Sequence, residues 1–446
     1  MFPGFFRCWC VVALGFSLGL ALAAIGQSGQ AKAEDIHQAL ERLLVEHQLV
    51  AAARADLAGA KAAASGARSA WYPDLVFNSS VGHQTMSYTN ATAATALDTH
   101  GVTFGLRQTL WDFGAIDASI DKADMTIRQS EASLAQAIQD LLLEGLTAYV
   151  NLDRARRTVK FAEQSVANVQ HQTGLEQSMV EMGGGFTSDV LQAKSQLAGA
   201  QARLVRAQGA LVNTINRYRA VFGHAPPDVP AETPPDDPSD QISIAFDLLP
   251  ASLPVAVSFA LTHNSQLEVA HMTADIAHAE IERLESSGLY PNIHASAQYI
   301  QEHNPDGIIG GRSQEVVKVE MTYQFNTGLG TFDALDAAHH TAQSADDKYA
   351  NLHDVIEEQV RNAWQNLDSA RENARFLENQ VHIGSEFLRL AREERVQGRR
   401  SLIDVLSGET SLINAQSDVV SANADVAIAA FTLLRATGQL DPAIIR

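Results

Sequence analysis

Ala148-Tyr149-Val150-Asn151-Leu152-Asp153-Arg154-Ala155-Arg156 returns 215 residues later as Ala363-Trp364-Gln365-Asn366-Leu367-Asp368-Ser369-Ala370-Arg371. The same step holds downstream, where Gly183 matches Gly398, Asp189-Val190-Leu191 matches Asp404-Val405-Leu406, and Gly223 matches Gly438. A spacing kept over that distance marks an internal duplication. Around the first copy, Leu134, Ile138, Leu141, Gly145, Ala148, Leu152, Ala155, Val159, Ala162, Val166 and Val169 advance by fours and threes. That 3.5-residue period belongs to long, mutually packed helices. The second copy keeps it through Ile356, Ala363, Leu367, Ala370, Ala374, Leu377, Val381, Gly384, Leu388 and Ala391. No proline falls between Ala115 and Ala220 or between Thr331 and Leu440, so nothing there forces a kink. A further stripe, Phe376, Ile383, Phe387 and Leu390, widens the apolar arc and predicts neighbours on two sides of the helix.

Outward from the helices lie alternating segments. Val317, Val319, Met321, Tyr323 and Phe325 alternate with Lys318, Glu320, Thr322 and Gln324, and Val102, Phe104, Leu106 and Leu110 oppose Thr103, Gly105, Arg107 and Thr109. These are two-faced strands. Their partners start at Tyr72-Pro73 and Tyr290-Pro291, where proline ends a helix and favours extended chain. The expected pairs are 73–86 with 101–112 and 291–303 with 314–327. Each copy, 34–224 and 255–440, reads helix, strand, loop, strand, long helix, tight turn, helix, with turns at 182–187 and 397–401. Eight of the 13 prolines lie from Pro226 to Pro254, marking 225–254 as the connection; 441–446 form a tail.

Residues 1–33 have the order of a secretory signal peptide: Arg7, the apolar run Val11 to Ile25, then Ala31-Lys32-Ala33. Cleavage after Ala33 is expected, because 15 apolar residues fall short of the roughly 20 a spanning helix needs. No later segment reads as a spanning helix. Cys8 and Cys10, the only cysteines, precede the apolar run, which disfavours lipid anchoring and leaves the mature chain without disulfide or thiolate metal site. Removing residues 1–33 takes away Arg7 and Lys32 and no acid, moving the net charge from −20 to −22. That sign disfavours nucleic acid as a partner, since phosphate binding needs a basic surface. His339-His340 has no metal-protease spacing and Gly183-Gly184-Gly185 lacks the P-loop lysine, so no enzyme and no cofactor or metal is expected.

Alternation alone fits half of a soluble sandwich. Long helices attached to every strand, however, leave no room for a second sheet over the apolar face. Ten-residue strands with apolar-out alternation suit a membrane barrel, whose smallest members have about eight strands. Four cannot close, so several chains must pool theirs. A secreted coiled-coil adhesin or fibre is the alternative from another class.

With the duplicated layout, the Tyr-Pro starts, Leu110-Trp111-Asp112-Phe113-Gly114 at the strand-to-helix junction, and the Gly398 to Gly438 segment in this order, the chain resembles the TolC-type outer membrane channel family. The resemblance covers essentially the whole mature chain. It implies a mixed α/β membrane protein of Gram-negative bacteria: a homotrimer whose twelve strands, four per chain, form one β-barrel in outer membrane lipid, continued by an α-helical coiled-coil tunnel through the periplasm. His263-Asn264-Ser265-Gln266-Leu267 and the Gly398 to Gly438 segment resemble the type I secretion branch. There, the partners are a periplasmic adaptor protein and an inner-membrane ABC exporter; in the drug-efflux branch the inner partner can be a proton-driven pump. By resemblance, Asp404 forms a ring of carboxylates at the pore constriction, with Ser407 where a second acid often stands. Asp189 and Arg400 match a network that holds tip hairpins closed. The tips Gly183, Gly184, Gly185, Phe186, Gly398 and Arg399 match adaptor contacts.

Overall fold

A computed structural model describes residues 36–87, 95–184, 186–227, 248–324 and 327–441. The expected signal peptide with Cys8 and Cys10, Gly185, most of the proline-rich connection, Phe325 and residues 442–446 lie outside them. Two short helices, α1 (Ile36–Glu46) and α2 (Gln48–Ser69), lead to β1 (Asp74–Met86) and β2 (Thr95–Trp111). Then come α3 (Ala115–Glu181) and α4 (Thr187–Phe222). The second copy repeats this with α5 (Leu253–His263), α6 (Ser265–Leu289), β3 (Asn292–His303), β4 (Gly311–Thr322), α7 (Gly330–Val396) and α8 (Leu402–Ala436). At 1.5 Å per residue, the 67 residues of α3 and of α7 each span about 100 Å.

The heptad positions do what their period demands. Leu141, Gly145, Ala148, Leu152, Ala155, Val159 and Val169 are buried, as are Ile356, Ala363, Leu367, Ala374, Leu388 and Ala391. Alanine and glycine at so many of these sites let helix axes approach closely. One core joins α1, α3, α4 and α8 around Leu40, Leu142 and Leu434; a second joins α5, α7 and α8 around Ile356, Val360 and Leu433. Here α8 departs from expectation, being long and apolar enough by length and composition to cross a bilayer. The reason is packing, since α7 covers one side of it and α3 another.

The four strands form one antiparallel sheet in the order β1-β2-β3-β4. Leu75 and Phe77 sit opposite Leu106 and Phe104, which in turn face Ala297 and Tyr299, so the apolar residues share one face. Val81, Val317, Val319 and Met321 lie there too, all strongly exposed. The boundaries of β2 and β4 differ from the sequence reading, β4 already beginning at Gly311 rather than at 314. β2 starts at Thr95 because its ladder with β1 runs on to Met86–Thr95 through polar pairs such as His83–Asp98, which carry no alternation signal. β4 stops at Thr322, paired with Asn292. Pro291 precedes Asn292, has no N–H to extend the ladder, and leaves Tyr323 outside the strand.

At the junction between sheet and helices, the Asp112 carboxylate is buried and accepts from the backbone N–H of Ile116 (2.6 Å) and Gly114 (3.2 Å), starting α3. Phe113 takes a left-handed backbone and stacks on Tyr290, 5.1 Å between ring centres. Glu280 of α6 accepts from Arg283 at 2.7 and 2.9 Å and from Lys122 of α3 at 2.9 Å. Arg283 foremost, and Lys122 after it, hold the Glu280 carboxyl down to about 2 against the opposing effect of partial burial. Because the folded value is depressed, this stabilisation is complete above about pH 4.5 and is lost as the pH falls toward 2. Glu280→Gln is therefore expected to lower the thermal midpoint of the detergent-solubilised protein at pH 7 and to converge with the parent only as the pH falls to about 2. Parallel curves across that range would contradict the assignment.

Candidate functional site: the helical tips

Each hairpin reverses on a glycine with positive φ, a conformation other residues adopt at a cost. Gly183 (φ +82°) follows α3, with its N–H donating to Val180 O (3.0 Å) and that of Gly184 to Met179 O (2.9 Å). Gly398 (φ +70°) follows α7, with its N–H donating to Arg395 O and that of Arg399 to Glu394 O. The turns therefore fall at the residues the sequence marks. Met182, Phe186 and Arg399 are exposed at the extremities, a polar and apolar surface with no cover from the chain itself. Gly185 lies outside the described residues.

Ser401 caps α8, its Oγ accepting from the Asp404 N–H at 3.2 Å. Asp404 thus stands in the first turn of α8, where the helix dipole favours negative charge. Its side chain is exposed and has no hydrogen-bond or ion-pair partner among the described residues. Ser407, one turn on, is also exposed. Arg400 donates from Nε to Glu394 (2.7 Å) and lies over the Phe387 ring at 5.2 Å. Asp189, in the first turn of α4, accepts from Ser188 Oγ at 3.2 Å. Asp189 and Arg400 are not brought together within one chain.

What joins the two hairpins near their ends is a pair the sequence reading missed. Arg395 of α7 donates to Glu176 of α3 at 2.8 Å, with the Glu176 side chain only 5 % exposed. A second buried acid, Glu409 of α8, accepts from Arg392 at 2.6 Å, while its other oxygen has no partner among the described residues. A signal existed, because Glu176 follows Val169 and Thr173 on the buried stripe of α3. An acid at a packed helix position needs a cation.

The arrangement joins an open four-stranded sheet to two long helical hairpins whose tips carry charged side chains. The family model described as outer membrane efflux protein matches residues 39–224 and 256–439, one stretch for each structural repeat. The outer membrane efflux protein BepC of Brucella suis is 24 % identical over 351 residues, 78 % of this chain and 74 % of that protein. The outer membrane protein TolC of Vibrio cholerae is 24 % identical over 327 residues, covering 72 % and 73 %. Among solved structures, a membrane protein from Pseudomonas aeruginosa superposes with a TM-score of 0.78 at 18 % identity, over 96 % of this chain and 100 % of that one. VceC, an outer membrane protein from Vibrio cholerae, gives 0.74 at 18 % identity over 90 % and 96 %. The chain belongs to the outer membrane efflux protein family, and it is an outer membrane channel of the TolC type rather than an enzyme.

Proposed function

We propose that three copies join their sheets edge to edge into a twelve-stranded barrel, continued by the helices as a tunnel through the periplasm, and that this duct is the exit of a type I protein secretion system. One observation carries the assembly: a four-stranded open sheet whose two edges, β1 and β4, are unpaired among the described residues and whose apolar face has no protein cover. Edge strands of that kind seek partners. Since β1 and β4 run in opposite directions, β4 of one chain can pair antiparallel with β1 of the next, giving the even, all-antiparallel closure of membrane barrels.

Within this reading the Asp404 carboxylates converge on the tunnel axis, where a ring of negative charge favours cations. We assign the Asp189–Arg400 gate contact to the junction between neighbouring copies. The exposed tips, Gly183 to Phe186 and Gly398 with Arg399, receive the periplasmic adaptor, which links the duct to an inner-membrane ABC exporter that supplies the energy. The secretion branch is supported by His263 to Leu267 together with the Gly398 to Gly438 segment. These two stretches touch, since Asn264 Nδ2 donates to Ala436 O at 2.9 Å while its Oδ1 caps α6. The second reading, the outer component of a small-molecule pump with a proton-driven inner partner, is favoured by the efflux description of the Brucella relative. Deleting the protein separates the two. Loss of a large protein from the secreted fraction is expected; an unchanged secreted fraction with hypersensitivity to small toxic compounds would overturn the secretion reading.

A further inference from the structure

The face of the sheet that carries the apolar residues changes chemistry at the end of the strands away from the helices. Val81 stands opposite His100. Beyond it the same face carries His83 opposite Asp98 on the β1–β2 ladder, and His100 opposite His303 on the β2–β3 ladder. All four residues are exposed. The β2–β3 ladder is the seam that joins the hairpin of the first repeat, β1–β2, to that of the second, β3–β4.

Across that seam the imidazoles of His100 and His303 lie 4.7 Å apart between ring centres and 24° from parallel. Their backbones are held in place, because Asn304, next to His303, donates from Nδ2 to Asp98 O at 2.9 Å and ties the ends of β3 and β2 together. Each neutral imidazole offers one unprotonated nitrogen, a donor suited to Zn²⁺, Ni²⁺ and Cu²⁺. Two such nitrogens bound to one ion at about 2.0–2.1 Å stand roughly 3 Å apart. Turning the two rings toward each other covers the difference without moving either strand. The 215-residue step turns His100 into Glu315 and His303 into Tyr88, so the pair belongs to the seam between the repeats and is not a product of the duplication.

The surroundings select a cation over an anion. Asp98, on the neighbouring rung, accepts from His83 Nδ1 at 2.8 Å. A carboxylate can only accept, so the His83 proton sits on Nδ1 and Nε2 keeps its lone pair, the state that carboxylates impose on metal-binding histidines. Arg312, at the same end of the sheet, stands opposite Glu302 on the other face, where Glu302 and Asp306 engage it. A phosphate group therefore finds no fixed positive charge on these rungs. Among the described residues no three metal-binding side chains enclose an ion position, which makes the pair a two-point chelate with its remaining positions open to water. We propose that His100 and His303 chelate a divalent transition-metal ion of the zinc, nickel or copper class, stapling β2 to β3 where the two hairpins of the sheet meet. The pair lies within one chain, so the inference stands apart from the trimeric reading.

The test uses the protein as extracted from membranes, without an affinity tag, freed of metal by a chelator and titrated with ZnCl₂, NiCl₂ or CuCl₂. Saturable binding and a rise in thermal midpoint are expected, since an ion that binds only the folded state stabilises it. His100→Gln and His303→Gln are each expected to lose one bound ion per chain together with the rise in midpoint. His278→Gln, whose histidine faces Asp346 among the helices, is expected to keep both. No saturable binding in the parent, binding that survives in His100→Gln and His303→Gln, or binding that His278→Gln removes, overturns the chelate. Paramagnetic resonance of the copper-loaded parent does not depend on how the variants fold. Two imidazole nitrogens on the ion support the pair, and a spectrum with one or none overturns it.

Discussion

Arg395→Ala is expected to raise single-channel conductance in planar bilayers and to quicken protease cleavage near the already exposed Met182 and Phe186, without loss of membrane insertion. The Glu176 side chain is 5 % exposed and takes its hydrogen bond from Arg395. Removing one partner of a buried pair leaves an uncompensated charge, at a cost of about 3–5 kcal/mol; Arg395 is itself 29 % exposed, which places the effect at the lower end. The chain relieves that cost most directly by parting α3 from α7, which lets water reach the carboxylate. Apolar packing between hairpins is sparse at this level, where Ala193 and Leu406 form an isolated pair. The four-stranded sheet is remote from the change, so insertion is unaffected. Replacing both partners by apolar residues of similar size, Glu176→Leu with Arg395→Met, removes the stranded charge and is expected to return conductance toward that of the parent. A single variant with parental conductance, or a double variant as open as the single, would show that the pair does not hold the hairpins.

Much of the architecture was legible because its signals are local. A glycine at each reversal, long proline-free tracts and an unbroken heptad fix where α3 gives way to α4 and α7 to α8. The turns fall between Glu181 and Thr187 and between Val396 and Leu402, matching the expected 182–187 and 397–401. Strand ends were less legible, since His83, Asp98 and His100 sit in the ladder without alternation and Pro291 stops β4 from the neighbouring strand. The tip chemistry was least legible. Glu176 and Arg395 are 219 residues apart, and their pairing depends on how two hairpins lie against each other, which no periodicity encodes. Arg400 shows the same limit. The sequence marks its place, but the structure gives its guanidinium to Glu394 and Phe387, a neighbourhood set by the turn of the second hairpin alone.

Gly438→Ala is expected to abolish stable assembly, while Gly223→Ala, its counterpart in the first repeat, leaves a functional channel of modestly reduced stability. Both glycines follow a long helix with positive φ, +78° at Gly223 and +76° at Gly438. A non-glycine residue in that conformation costs about 1–2 kcal/mol, a loss common to both variants. Their surroundings then diverge. A Cβ at Gly223 meets nothing within 4 Å, whereas at Gly438 it falls 2.6 Å from the His263 carbonyl oxygen and 3.3 Å from Asn264 Cα. These are backbone atoms at the junction of α5 and α6, and backbone cannot rotate aside as a side chain can. The junction is tied from several directions: Asn264 bonds Ala436 O, Gln139 of α3 bonds Gly438 O, and Leu440 is buried beyond the turn. Forcing extra volume into packed surroundings adds about 1–3 kcal/mol, and here it also pulls α8 away from α5 and α6 at the site where both repeats meet. Heat-inactivation temperature and the fraction of protein inserted in outer membranes measure the difference, and equal losses in the two variants would show that backbone strain alone, not the approach of α8 to the α5–α6 junction, sets the need for glycine.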